Sequence, residues 1–284
     1  MMIKKLKKDF FKLIGYEKVK RPYKSKFSLL NSKEFVLEER QQKEEVVNLI
    51  QSLAPYHIGK DLIRIGPNGD GGYLVPDDLN DIKACFSPGV STVSGFEEDC
   101  YDLGMQLFLA DKSVDKANLD SKHNFIAKFI GCTNNKDFIT MDDWVKQNVS
   151  DKGDLLLQMD IEGSEYIAFL NMSDSLLSRF RILVVEFHDL HKLWNKGFFE
   201  VISTVFMKIL QTHICVHIHP NNCCGLDVQE GIEIPRVAEF TFIRKDRVNK
   251  KNPVNKFPHP SDFDNTNYPQ IDLPAIWYKG HNDL

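Results

Sequence analysis

One stretch limits what this chain can become more than any other: Leu155-Leu156-Leu157-Gln158-Met159, followed at once by Asp160-Ile161-Glu162-Gly163-Ser164-Glu165-Tyr166. A nearly unbroken apolar run is what a parallel strand buried on both faces requires. The carboxylates and glycine that end it predict a strand whose carboxyl end opens into a crevice before the chain turns into a helix. Open α/β sheets bind their ligands there.

From Lys83 onward short apolar runs alternate with helical segments, which predicts β-α-β units. The expected strands are Ala84-Cys85-Phe86, 106–110, 127–131, the 155 run, 181–188, 214–222 and 237–243. The last has a period-two alternation that predicts a less buried, antiparallel strand. Helices are expected from a capping box at Ser94 and Glu97, behind a Thr or Asp cap before Trp144, over 165–177, and near 198–211. Asp111 follows the second strand about 20 residues after Gly89, the spacing at which an acid accepts hydrogen bonds from ribose hydroxyls.

The flanks differ from this core. Residues 1–26 hold ten Lys or Arg against Asp9 and Glu17, so a net charge of −4 leaves the remainder near −12. That balance argues against a nucleic-acid binder. Ile3, Leu6, Phe10 and Ile14 share a helical face among lysines, so this arm either rests on an anionic membrane surface or packs loosely as a solvated arm. Residues 33–54 predict a charged helix with Val36, Val47, Ile50 and Leu53 inside, stopped by Pro55. Residues 64–75 hold four glycines within seven positions. They predict a hairpin turn, a loop where Asp70 and Tyr73 face a ligand, or both. The last 34 residues hold five of the twelve prolines together with Trp277 and Tyr278, which predicts an extended tail packed on the domain. The division is therefore a basic arm and helical extension over 1–55, a main domain over 56–250, and a tail over 251–284. Six cysteines without Cys-x-x-Cys spacing and no secretory signal predict reduced thiols in a cytoplasmic protein, with contact at the inner face of the membrane if the arm binds lipid. No apolar run approaches the roughly 20 residues needed to span a bilayer. Oligomeric state is not readable.

Taken in order, Ser-Pro-Gly-Val and Asp111, Ile-Thr-Met-Asp-Asp, Met-Asp-Ile-Glu-Gly-Ser-Glu-Tyr, Val-Val-Glu-Phe-His and His-Pro-Asn-Asn resemble the FkbM-type family of S-adenosylmethionine-dependent methyltransferases over residues 60–262. The resemblance implies an α/β, Rossmann-like class I methyltransferase fold with a seven-stranded, mostly parallel sheet and an antiparallel last strand. It further implies O-methylation of a carbohydrate or glycoconjugate precursor, in surface-polysaccharide biosynthesis. By the same resemblance Gly89, Asp111 and Asp142 would meet the cofactor, and Asp160 and Glu162 its methionine end or the substrate; Ser87, at the same corner, and Asp160 are counted with the cofactor-binding candidates. Ser87 stands where that family commonly has an acid, and Ser91 where it commonly has a second glycine, so the holder of the cofactor's amino group is unassigned.

A sugar hydroxyl is a weak nucleophile, so a base is expected near the aligned reactants. His188 and His219 end adjacent apolar runs beside Asp160, and these three are the candidate catalytic residues. Asp70, Tyr73, Glu162, Glu186, Asn221 and Asn222 are candidates for binding the acceptor. Asp160, Glu186 and His188, with Asp189 or His219, also have the donor mixture of a divalent metal site, although hydrogen bonding without a metal is the favoured reading. Two other classes fit parts of the pattern. An NAD-dependent oxidoreductase would share the Gly89 corner and Asp111 but lacks Gly-x-Gly-x-x-Gly and a Tyr-x-x-x-Lys pair after the sheet. A non-catalytic binding module would be indifferent to replacement of His188 or Asp160.

Overall fold

The computed structural model describes residues 38–90, 94–150 and 152–279; the basic arm and Val36 lie outside the described residues. Seven strands form the central sheet: β1 (Ala84–Pro88), β2 (Gln106–Ala110), β3 (His123–Ile126), β4 (Leu155–Met159), β5 (Phe180–Phe187), β6 (His213–Pro220) and β7 (Ala238–Arg244). Their spatial order is β6-β7-β5-β4-β1-β2-β3, and β7 runs antiparallel to both neighbours. The expected Rossmann-like α/β fold, with its mostly parallel sheet and reversed last strand, is what forms. The chain steps outward from β1 to β3 and then restarts on the other side at β4. The order therefore reverses between β1 and β4, which is where such sheets open a crevice.

Alternation along β4 divides the core. Leu155, Leu157 and Met159 pack into the larger cluster with Trp144 and Phe206, while Leu156 packs on the opposite face with Tyr73 and Phe96. Helices α1 (Lys43–Ser52), α3 (Met141–Asn148), α4 (Glu165–Asn171) and α6 (Lys196–Thr212) supply the first cluster. On the other face lie α2 (Gly95–Asp102) and the hairpin of Leu62–Ile65 with Tyr73–Pro76.

Several expectations shift. The third sheet strand is His123–Ile126, whose polar mixture hides it in the sequence; Phe129–Ile130 pairs instead with Phe138–Ile139 in a small parallel sheet of its own. The helix expected over 165–177 breaks at Met172, because Ser173 starts α5 (Asp174–Leu177) by accepting a bond from the Leu176 amide at 3.2 Å. Strand β7 is buried almost throughout, since the hairpin covers one face, where Thr241 Oγ1 donates to the Leu74 carbonyl at 2.7 Å, and Phe206 packs on Phe240 across the other. Helix α1 starts only at Lys43 and buries Val46, Leu49 and Ile50. The tail lies on the domain: Trp277 is fully buried edge-on to Phe240, its indole donating to the Glu233 carbonyl at 3.2 Å. No helix among the described residues is long and apolar enough to cross a membrane.

Candidate active site

Gly89 follows β1 at φ +91°, a conformation that favours glycine. A Cβ there would lie 1.5 Å from the carbonyl oxygen of Asp160, and the Asp160 amide donates to the Pro88 carbonyl at 3.3 Å. The turns after β1 and β4 are thus locked together at the switch point. A cleft of about 600 Å³ opens beside them, lined by Gly89, Asp111, Phe129, Phe138, Asp160 and Glu162 among others. This is within the size range of small-molecule sites. Asp111 turns one carboxylate oxygen back on Ser113, accepting from its amide and hydroxyl at 2.6 and 2.7 Å. Phe129 and Phe138 stand partly exposed, 5.7 Å apart, as an apolar wall. Sequence reasoning missed them, although a repeated Phe-Ile pair with Ile inward was the available signal.

The chemistry gathers beside this cleft around His188. Its Nε2 lies 3.4 Å from Glu162, 3.8 Å from Glu186 and 3.9 Å from Asp160, and its Nδ1 lies 3.3 Å from Glu165. Glu165 was not anticipated. It is fully buried, and its Oε1 also accepts from the amides of Ile161 and Gly163, so it braces the turn that carries Asp160 and Glu162. Tyr166 holds His188 from behind by donating to its carbonyl at 2.6 Å. Asp160 and Glu162 do reach the same side, but not by strand alternation: β4 ends at Met159, and a turn with Glu162 at φ +56° redirects them.

Burial shifts the charges of this cluster. It works against a charged imidazole at His188, but Glu165, Glu186 and Asp160 outweigh it and raise the pKa to about 9. Burial, reinforced by Glu162, Glu165 and Asp70 and opposed by His188, lifts Asp160 to about 7. Glu186 is pushed well up by burial and by its neighbours Asp160 and Glu239. Among the described residues, Asp160, Glu165 and His188 bring one donor atom each within 4.8 Å of one another, so the metal-capable set contains Glu165 in place of the expected Glu186.

Other expected residues are placed differently. Asp142 is absent from the cleft lining, and its carboxylate accepts from the amide and hydroxyl of Ser173, which joins α3 to α5. Asn222 uses both amide protons on the carbonyls of Thr266 and Tyr268, and its oxygen accepts from the Thr266 amide and hydroxyl. A side-chain amide has two donors and two lone pairs, so Asn222 clamps the tail and has nothing left for a sugar. Asn221 positions Glu186, donating to it at 3.1 Å. His219 is separated from His188 by Glu239, which stands in register with Glu186 on one side and His219 on the other. It lines a different cavity, of about 590 Å³, under the tail residues Pro258, Pro260 and Asp262. Ser87 is buried behind the Gly89 corner, its hydroxyl 2.5 Å from Glu97 and 2.7 Å from Gln158. Glu97 is thereby drawn away from the capping box with Ser94. Tyr73 joins this group, accepting from Gln158 at 3.2 Å, while Asp70 lies at the exposed hairpin tip.

Residues 87–211 match the methyltransferase FkbM domain, a narrower span than the motifs suggested. Among solved structures, the N-methyltransferase NodS of Bradyrhizobium japonicum is 13% identical, with 58% of this chain and 86% of that one covered at a TM-score of 0.33. A protein of Thermoplasma acidophilum is 10% identical, with 59% and 80% covered at a TM-score of 0.30. At these scores neither likeness adds to what the sheet order establishes. No curated protein matches in sequence.

Proposed function

With residues 87–211 of methyltransferase FkbM type, we propose that the chain is an S-adenosylmethionine-dependent O-methyltransferase acting on a hydroxyl of a carbohydrate or glycoconjugate precursor in surface-polysaccharide biosynthesis. The observation that carries this reading is the lock between Gly89 and Asp160, which sets a cleft of cofactor size directly against the His188 cluster.

The cleft fits the cofactor. Gly89 leaves room for close backbone approach, Asp111 stands where ribose hydroxyls would be received, and Phe129 with Phe138 offers an apolar wall for a base. When bound, S-adenosylmethionine would supply an electrophilic methyl group. The chain's own part is alignment and proton removal. His188 Nε2 receives the acceptor's hydroxyl proton, and the carboxyl groups of Asp160, Glu162 and Glu186 face the resulting imidazolium. Glu165 Oε1 stands 3.3 Å from Nδ1 and favours a proton on the ring. In this reading the Nε2 lone pair is spent on the hydroxyl proton and no metal ion is needed, so activity retained after exhaustive chelation is the expected result; loss on chelation, restored by a divalent ion, would reverse it.

Calorimetric titration with S-adenosylhomocysteine and with NADH tests the cofactor. Binding of the first and not the second is expected, and tight binding of NADH alone would replace this function with a redox one.

A further inference from the structure

The family's usual acid at the end of the first strand is a serine here, at position 87. The structure shows what stands in its place. Beside Gly89 lies a recess of about 40 Å³, lined by Asp70, Tyr73, Glu97, Gln158 and Asp160 among others. Asp160 and Gly89 line both spaces, so the recess is a side chamber of the cleft. Its size decides what can enter. Roughly 10–15 Å³ of such space takes one water, so the recess admits a group of one to a few heavy atoms, such as an ammonium, and not a sugar ring.

Its chemistry is equally narrow. Three of the lining residues are carboxylates, and no Lys, Arg or His is among them. Glu97, Gln158 and Tyr73 are each more than nine-tenths buried, and they are held in one chain, Glu97 to Ser87 to Gln158 to Tyr73. Asp160 adds a buried Oδ1 with no hydrogen-bond partner among the described residues. A rigid, acceptor-rich pocket of this volume is matched by a compact cation with several N–H donors.

We infer that this recess is the subsite for the α-ammonium group of the cofactor's amino-acid end, and that Glu97, carried on α2 and braced by Ser87, supplies the carboxylate that the strand end lacks. The assignment rests on the proposed S-adenosylmethionine reading and deepens it. Ser87 is then a positioning residue that holds Glu97, in place of a direct ligand. The same geometry accounts for the diverted capping box, because a Glu97 turned back on Ser94 would leave the recess without its acid.

Two ligands that share the adenosine and the sulfur separate the possibilities: S-adenosylhomocysteine carries the amino-acid end, and 5′-methylthioadenosine does not. Calorimetry on the full chain should show Glu97→Gln binding S-adenosylhomocysteine at least tenfold more weakly while its affinity for 5′-methylthioadenosine stays within twofold of the parent. Asp70→Asn, on the exposed hairpin tip where folding is not at stake, should weaken S-adenosylhomocysteine selectively in the same direction by a smaller factor. Equal weakening of both ligands by Glu97→Gln would mean that Glu97 only supports the corner, and would overturn the assignment, as would no weakening of either. A parent protein that binds neither ligand would bring down the cofactor reading itself. One that binds both equally well would refute the ammonium subsite alone.

Discussion

Oε1 of Glu165 lies 3.3 Å from Nδ1 of His188, at the inner edge of a ring whose outer edge faces three more carboxylates. The pairing raises the imidazole's affinity for a proton. If His188 is the base, activity should climb with pH on a limb set by a group whose pKa lies above the ordinary imidazole value of 6.5, toward about 9. Negative charge at Glu165 favours the charged ring, so Glu165→Gln removes part of that stabilisation and should move the limb to lower pH while lowering the plateau. A pH–rate profile of kcat in both proteins reads this directly; a limb that stays in place would show that Glu165 only braces the turn.

Asp160 belongs to both the cleft and the cluster, and its backbone is what locks the corner. Asp160→Asn keeps the backbone contacts and the side-chain volume and loses the charge. We expect kcat to fall by about 10²-fold or more, the scale of a misplaced base, with the melting temperature within a few degrees of the parent. Near-parental turnover would place the reaction elsewhere.

Glu239 is buried between Glu186 and His219, and burial lifts its carboxyl to about 8 from an ordinary 4.5. A raised carboxylate pKa means that the folded chain holds the proton more tightly than the unfolded one. Its stabilising contribution is complete below about 4.5 and is lost as pH rises through about 8. Glu239→Gln cannot ionise and can still accept from Asn265, which donates to the native carboxylate at 2.7 Å. Thermal denaturation from pH 5 to 9 should therefore show a flatter profile in the variant and a higher melting temperature at the alkaline end. Parallel profiles would count against the assignment.

Trp277 tests whether the tail is part of the fold. It is fully buried, packs on Phe240 and donates to the Glu233 carbonyl. Trp277→Ala should cost about 3–5 kcal/mol in denaturant unfolding, the range for removing a large buried aromatic. A loss under about 1 kcal/mol would show the tail to be a loosely held appendage.

Most of the sheet was legible because a strand buried on both faces must be apolar along its length, and residues 155–159 and 181–187 could satisfy that in few other ways. The edge strand His123–Ile126 was hidden for the converse reason: one side of it meets solvent, so polar residues are tolerated. The site was legible in part. Asp160 and His188 stand at strand ends, where local order predicts exposure to a crevice. Glu165 was hidden because its position at a helix start reads equally well as surface charge. Asp142 and Asn222 are engaged by Ser173 and by the tail, partners that their residue types suit as well as a ligand.

Local pattern thus decided the class of fold, six of the seven sheet strands, and the two turns that carry the candidate site. Periodicity and turn chemistry act over a few residues and need no knowledge of what lies opposite. Which carboxylates face His188, which are spent on Ser173 or the tail, and that Glu97 stands in for the acid missing at Ser87 depend on partners distant in sequence, 71 residues apart for Ser87 and Gln158. Hydrogen bonds and burial act between whatever the folded chain brings within a few ångströms, so only the packed sheet could settle them.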